Sequence, residues 1–295
     1  MAATPSLRMF NVNRTQWIVV LAFASSVGLS APGKLLANGF SGLNGSPELR
    51  SESAIVVDGA GNVIYGKDAD TVRPIASITK LMTAMVILDS GLALDEKITV
   101  TGDDRDLIRL TGSRLDYGAS LSRRDMLLLA VMASENRAAA ALGRTYPGGT
   151  VAFVRQMNLK AGQLGMSQSR FADPAGLHGD NKSTARDLAK LLHAARTYPL
   201  IVQASTTPQM QVFPFSNRGA LTYANTNRLL KNPTWDISLS KTGYLSEAGR
   251  CLVMEANIDG EPLSIVLLNS FGKLTPFGDS NRLRQWLTSG RTSAP

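Results

Sequence analysis

The chain has 295 residues, 44% of them hydrophobic and 18% charged, which gives a folded protein of one large domain or two small ones and excludes a disordered chain. Its one cysteine, Cys251, excludes an internal disulfide, and without a His-Glu-x-x-His helix no metal or other cofactor is expected. The net charge of +8 is spread along the chain with no basic stripe interleaved with aromatics, so no nucleic-acid partner is expected.

Arg8 and Arg14 open the chain as a basic segment, and Trp17 to Ala31 follows as an apolar run. The run is short against the roughly 20 apolar residues of a membrane span, so residues 1–37 read as a secretory signal peptide. Pro32 disfavours a cut after Ala31, and Leu35-Leu36-Ala37 places cleavage near Ala37. An uncleaved N-terminal anchor is the alternative; in both cases the body lies outside the cytoplasm, in the periplasm. Removing Arg8, Arg14 and Lys34 from the +8 leaves +5, which suits an anionic cell wall or lipid surface. Residues 38–51, rich in Gly and Ser, read as a flexible lead-in to a domain over 52–292.

Ala54–Asp58 and Val63–Gly66 read as strands of a hairpin around Gly59-Ala60-Gly61-Asn62. Pro74 precedes an apolar helix over Ser77–Ser90, stopped by Gly91. Residues 122–146 form two helices, the first capped by Ser122 with Asp125 in its first turn. Thr150 caps a helix that Gly165 ends, and Ser183-Thr184 caps another that ends near Pro199. Trp235–Ser240, Arg250–Ile258 and Pro262–Ser270 read as strands, and Ser280–Thr288 as a last amphipathic helix. Strands thus sit at both ends and helices in the middle, with the end strands joining one antiparallel sheet.

Three short strings carry the chemistry. Ser-x-x-Lys occurs three times, as Ser77/Lys80, Ser238/Lys241 and Ser270/Lys273, but only Ser77 and Lys80 open a helix and so share one face a turn apart. A serine hydroxyl needs an adjacent base, and Lys80 serves only if burial or a second cation lowers its pKa. Taken alone, Ser77 reads as a helix cap rather than a nucleophile. Ser134-Glu135-Asn136 lies between two helices, where Ser134 can relay a proton and Asn136 can donate to and accept from a substrate amide; a simple helix connector is the other reading. Lys241-Thr242-Gly243 closes a predicted strand, where glycine admits a close backbone, Lys241 supplies a second cation and Thr242 a hydroxyl; a strand-end turn with a solvated lysine reads as well from these residues alone. Together and in this order they suggest a serine acyl-transfer site served by lysine. His178 and His193 lie in no motif, so a Ser-His-Asp site is not expected.

The chain resembles the serine penicillin-binding proteins of the D-alanyl-D-alanine carboxypeptidase family, most closely their endopeptidase branch. The resemblance rests on Arg73-Pro74-Ile75-Ala76-Ser77-Ile78-Thr79-Lys80, on Ser134-Glu135-Asn136-Arg137, and on Lys241-Thr242-Gly243-Tyr244 followed by Ala248-Gly249-Arg250-Cys251. It spans about residues 52–290. It implies an α+β fold of the β-lactamase and penicillin-binding type, an antiparallel sheet flanked by helices with a mostly helical subdomain. It also implies Ser77 as acylated nucleophile, Lys80 as base, Ser134 as relay, and Asn136, Lys241, Thr242, Gly243 and Tyr244 as substrate-binding residues. The backbone N–H groups of Ser77 and Tyr244 would form the oxyanion hole. Peptidoglycan stem peptides are the implied substrates and β-lactam antibiotics the implied inhibitors; partner hydrolases are not indicated.

A class A β-lactamase uses a further glutamate for deacylation, and none occurs between Glu135 and Glu247. Only 52 residues follow Gly243, without the extra β-domain and amphipathic anchor of many family carboxypeptidases. The expectation is therefore a soluble periplasmic D,D-endopeptidase that cuts D-alanyl cross-links. The alternatives are a D,D-carboxypeptidase and a catalytically dead cell-wall binding protein.

Overall fold

The computed structural model describes Phe40 and residues 43–289, so the signal-peptide reading of 1–37 lies outside the described residues. β1 (Ser51–Asp58) and β2 (Val63–Lys67) form the expected hairpin, closed by Asp58 Oδ1 accepting from Ala60 N and Asn62 N. β3 (Arg73–Pro74) runs through a 3-10 turn at Ala76–Ile78 into α1 (Thr79–Asp89). β4 (Lys97–Thr99) pairs with β5 (Ser120–Ser122), which leads into α2 (Arg123–Met132) and α3 (Asn136–Arg144). Next come α4 (Gly149–Gln163), β6 (Lys182–Ser183) paired with β3, α5 (Ala185–Ala195) and α6 (Pro199–Thr206). The hairpin of β7 (Gln209–Val212) and β8 (Leu221–Ala224) precedes the long strands β9 (Asp236–Leu245), β10 (Gly249–Ile258) and β11 (Glu261–Ser270), and α7 (Thr275–Ser289) closes the fold.

The two ends of the chain meet in one antiparallel sheet of order β2-β1-β11-β10-β9. Ala54 pairs with Leu267 and Ile55 with Val266, so β1 and β11 lie side by side. Alternate residues point to opposite faces of a strand. Ile55, Val253 and Val266 pack on the helical side with Leu81 and Met85 of α1, while Ala54, Leu252 and Leu267 pack against Leu283 and Leu287 of α7. Both faces are covered, which explains why β10 and β11 read as nearly continuous apolar runs. In α1 every residue from Thr79 to Ile87 is buried, as fits a helix apolar on all sides at the centre of the core.

Ser122 and Thr184 cap their helices as the sequence indicates, each accepting from an aspartate N–H three residues on. Elsewhere the structure differs. The cap of α4 is Gly148 at φ +83°, a conformation glycine adopts without strain, and Thr150 lies inside the helix. Pro199, read as a stop, is the first residue of α6, where a missing N–H costs nothing. The segment read as a flexible lead-in is docked over 43–51: Leu49 is buried, Trp286 Nε1 donates to Asn44 O, and the buried Asp279 accepts from Ser51 N at 2.7 Å. Phe215 packs on the core and Phe213 is exposed beside a surface hollow separate from the motif residues, whereas Tyr146 packs edge-on against Phe153.

Candidate active site

The nucleophile segment is held in a strained turn. Ala76 sits at φ +48°, in the left-handed region that costs a residue with a Cβ on the order of 1 kcal/mol or more. Two glycines wedge that turn from opposite sides. A Cβ on Gly243 would stand 3.0 Å from Ile75 O and 3.1 Å from Ser77 N. A Cβ on Gly176 would collide with the Ala76 carbonyl. Gly243 thus makes room for the chain's own serine turn, and β9 runs past Ser77 at backbone contact. β9 also continues through Lys241-Thr242-Gly243 to Leu245, where the sequence placed a strand end; it is the sheet edge strand next to the 3-10 turn.

Lys80 lies one turn after Ser77 and is fully buried. Its Nζ reaches three oxygens: Ser77 Oγ at 2.9 Å, Asn136 Oδ1 at 2.7 Å and Ala175 O at 2.5 Å. Three acceptors match the three N–H of an ammonium; a neutral amine would keep two of them and turn its lone pair to Ser77. Burial lowers the Lys80 pKa to about 8, against the upward pull of Asp173, Glu135 and Asp106. Lys241 is buried too and donates to Thr242 O at 2.9 Å; burial, then the charge of Lys80, push its pKa well below the ordinary lysine value. The charge of Lys80 thus acts on Lys241, whereas the Lys80 shift comes from burial.

Ser77, Ser134, Asn136, Thr242, Gly243 and Tyr244 line a single cleft of about 270 Å³, with Lys80 beneath its floor. Ser134 holds φ +59° in the loop between α2 and α3. The cap of α3 is Glu135, which accepts from Arg137 N and leaves Ser134 and Asn136 to the cleft. Asn136 Nδ2 donates one N–H to Thr111 Oγ1 at 2.9 Å and has a second to offer. Thr242 Oγ1 donates to Thr226 Oγ1 at 2.6 Å. Ser238 and Ser270, the other Ser-x-x-Lys serines, bond to Glu255 O and to Ser51 Oγ, and His178 and His193 are exposed outside this cleft.

Two loops that no motif flagged hold these groups. Asp173 accepts from the N–H groups of Ala175, Gly176 and His178, each at 2.7 Å, and so fixes the carbonyl that Lys80 meets. The signal available was Asp173-Pro174-Ala175-Gly176, a turn sequence. Asp106 accepts from Ile108, Arg109 and Thr111 N–H groups and from Thr111 Oγ1, and thereby aims Thr111 at Asn136. Burial works against the Asp106 charge, but these hydrogen bonds hold its carboxyl below the ordinary range. Arg109 ties both loops to the β9–β10 turn, donating from Nε to Leu177 O and pairing through Nη2 with Glu247. Among the described residues no cluster of three metal-ligating side chains occurs.

A helical layer against an antiparallel sheet, with a serine and a buried lysine at their junction, defines a serine acyl-transfer enzyme. Residues 42–272 match the Peptidase S11 family, described as D-alanyl-D-alanine carboxypeptidase. The chain belongs to that family and is a serine peptidase of it. It is 50% identical over 275 residues to a D-alanyl-D-alanine endopeptidase of Pseudomonas aeruginosa, covering 93% of this chain and 87% of that one. It is 50% identical over 247 residues to a D-alanyl-D-alanine endopeptidase of Escherichia coli, covering 83% and 79%. The crystal structure of the Streptomyces K15 DD-transpeptidase superimposes with a TM-score of 0.77 at 27% identity, covering 83% of this chain and 100% of that one.

Proposed function

We propose that this chain is a periplasmic serine D,D-endopeptidase that hydrolyses D-alanyl cross-links between peptidoglycan stem peptides through an acyl-enzyme on Ser77. The reading takes 1–37 as the signal peptide and 52–292 as the catalytic domain. Both 50%-identical relatives bear the endopeptidase name. No helix among the described residues is long and apolar enough to cross a membrane.

In the mechanism, neutral Lys80 keeps Asn136 Oδ1 and Ala175 O as acceptors and takes the Ser77 proton as Oγ attacks the D-alanyl carbonyl. The developing oxyanion lies between the backbone N–H groups of Ser77 and Tyr244, a preorganised arrangement that contributes strongly to such reactions. Ser134 passes the proton to the departing amine. Asn136 and Thr242 bind the substrate peptide, with Lys241 and Gly243 behind them. Water then releases the acyl group. The observation that carries this reading is Lys80 Nζ at 2.9 Å from Ser77 Oγ with its pKa lowered to about 8.

Penicillins would acylate the same serine. Glu135 and Glu247, the acids bounding the glutamate-free stretch, are engaged in capping α3 and in pairing with Arg109, so the penicilloyl ester should be long-lived. The test is incubation of the purified chain with a fluorescent penicillin and then with cross-linked muropeptide dimers. Stable label on Ser77 with dimers cut to monomers is expected. Loss of terminal D-alanine alone would move the reading to a D,D-carboxypeptidase, and absence of label would move it to a binding protein.

A further inference from the structure

A second hollow of about 500 Å³ adjoins the cleft, beyond Tyr244, between the β9–β10 turn and the β11–α7 connection. Ser246, Gly249, Asn269 and Phe271 are among its lining residues. Tyr244, Arg250 and Lys273 line both hollows and form the passage between them.

That passage is cationic and unsatisfied. The Arg250 guanidinium stacks over the Tyr244 ring, 3.7 Å from its centroid, which fixes its plane while using none of its N–H donors. Arg250 and Lys273 have no carboxylate or hydrogen-bond partner among the described residues. By contrast Arg123, Arg144 and Arg186 are each anchored on a carboxylate. The one acid in either lining is Glu52, in the outer hollow. Phe271, 92% exposed, supplies an apolar wall.

We propose that Arg250 and Lys273 form a subsite for a carboxylate of the second stem peptide in a cross-linked substrate, remote from the scissile bond. The proposal rests on the D,D-endopeptidase reading. A cross-link carries two stems, and the cleft that holds Ser77 is continuous past Tyr244, Arg250 and Lys273 with the outer hollow. The outer hollow receives the second stem. A planar carboxylate matches a guanidinium whose plane is already fixed, since two parallel N–H donors meet its two oxygens. Arg250 is thus a specificity-determining residue, outside the Ser-x-x-Lys, Ser-x-Asn and Lys-Thr-Gly strings themselves.

The test uses the purified chain and two cross-linked dimers that differ only in the second stem, its carboxylates free in one and amidated in the other. Wild type should cleave the free acid with a kcat/KM about tenfold higher, the size of one charge-assisted hydrogen bond. Arg250→Gln should erase that preference mainly through KM, and Arg250→Lys should keep part of it. Lys273→Gln provides the second variant should Arg250→Gln fail to fold, as judged by melting and by the stoichiometry of bound penicillin. Cleavage of both dimers by wild type without preference, or a preference undiminished in the folded variants, overturns the subsite alone. Cleavage of neither dimer by wild type overturns the endopeptidase reading and the subsite with it.

Discussion

The Lys80 ammonium has an acceptor for each of its three donors; the Arg250 guanidinium, on β10, has none among the described residues. Lys80 is sealed by Ser77, Asn136 and Ala175, and a second layer, Asp173, Asp106 and Thr111, holds those partners in place. Arg250 is held only by the face of an aromatic ring at the open mouth. The difference separates two tasks. A base must be preorganised and dry, because burial is what brings its pKa toward working pH. A recognition surface must keep its donors free until the ligand arrives.

The comparison breaks most completely at Ser77. Ser77→Ala should abolish peptide cleavage and penicillin labelling, a loss of about 10⁴-fold or more, with little change in melting temperature. Should cleavage survive, the acyl-enzyme account fails.

The sealed side also has a pH signature in stability. The Lys80 pKa falls from the ordinary 10.5 to about 8 on folding, so between those values the unfolded chain binds more protons. The burial cost is therefore full below pH 8 and fades as pH rises to 10.5. Relative to Lys80→Met, wild type should gain about 3 kcal/mol across that window in denaturant titrations. A flat difference would mean that folding does not lower the Lys80 pKa and that Lys80 stays protonated in the folded protein across that window.

Smaller effects sharpen the contrast. Gly243→Ala places a Cβ against the serine turn and should slow acylation by about tenfold to a hundredfold, at a stability cost of about 1–3 kcal/mol. A rate equal to wild type would show that the turn can shift without harm. Arg109→Ala removes an ion pair whose side chains are 29% and 35% exposed, so chemical denaturation should register about 1 kcal/mol or less. A larger loss would make that arginine the main tie between the two loops and the sheet.

The sequence made most of the architecture legible, because periodicity and caps act locally. Ser122 and Thr184 cap as their type and spacing indicate, and the terminal strands join one sheet. Of the residues in the three strings, Ser77, Ser134, Asn136, Thr242, Gly243 and Tyr244 line the cleft, while Lys80 and Lys241, read as base and substrate-binding cation, are buried outside its lining. What stayed hidden depends on contacts distant in sequence. Gly243 looked like an opening for substrate, and only the packing of β9 on Ser77 shows what its missing Cβ avoids. Asp173 and Asp106 do their work through backbone N–H groups of their own loops, which leaves no pattern beyond a turn. The docking of 43–51 needed the buried Asp279, 228 residues from Ser51.

The most direct test of the central claim is the rate of penicillin acylation against pH for wild type and Lys80→Ala. A neutral Lys80 is the reactive form, so the wild-type rate should climb with pH and level off above about 8, while Lys80→Ala should fall by about 10²–10⁴-fold and lose the inflection. A Lys80→Ala rate equal to wild type, or a wild-type rate that keeps rising to the pH of free lysine, would contradict the account.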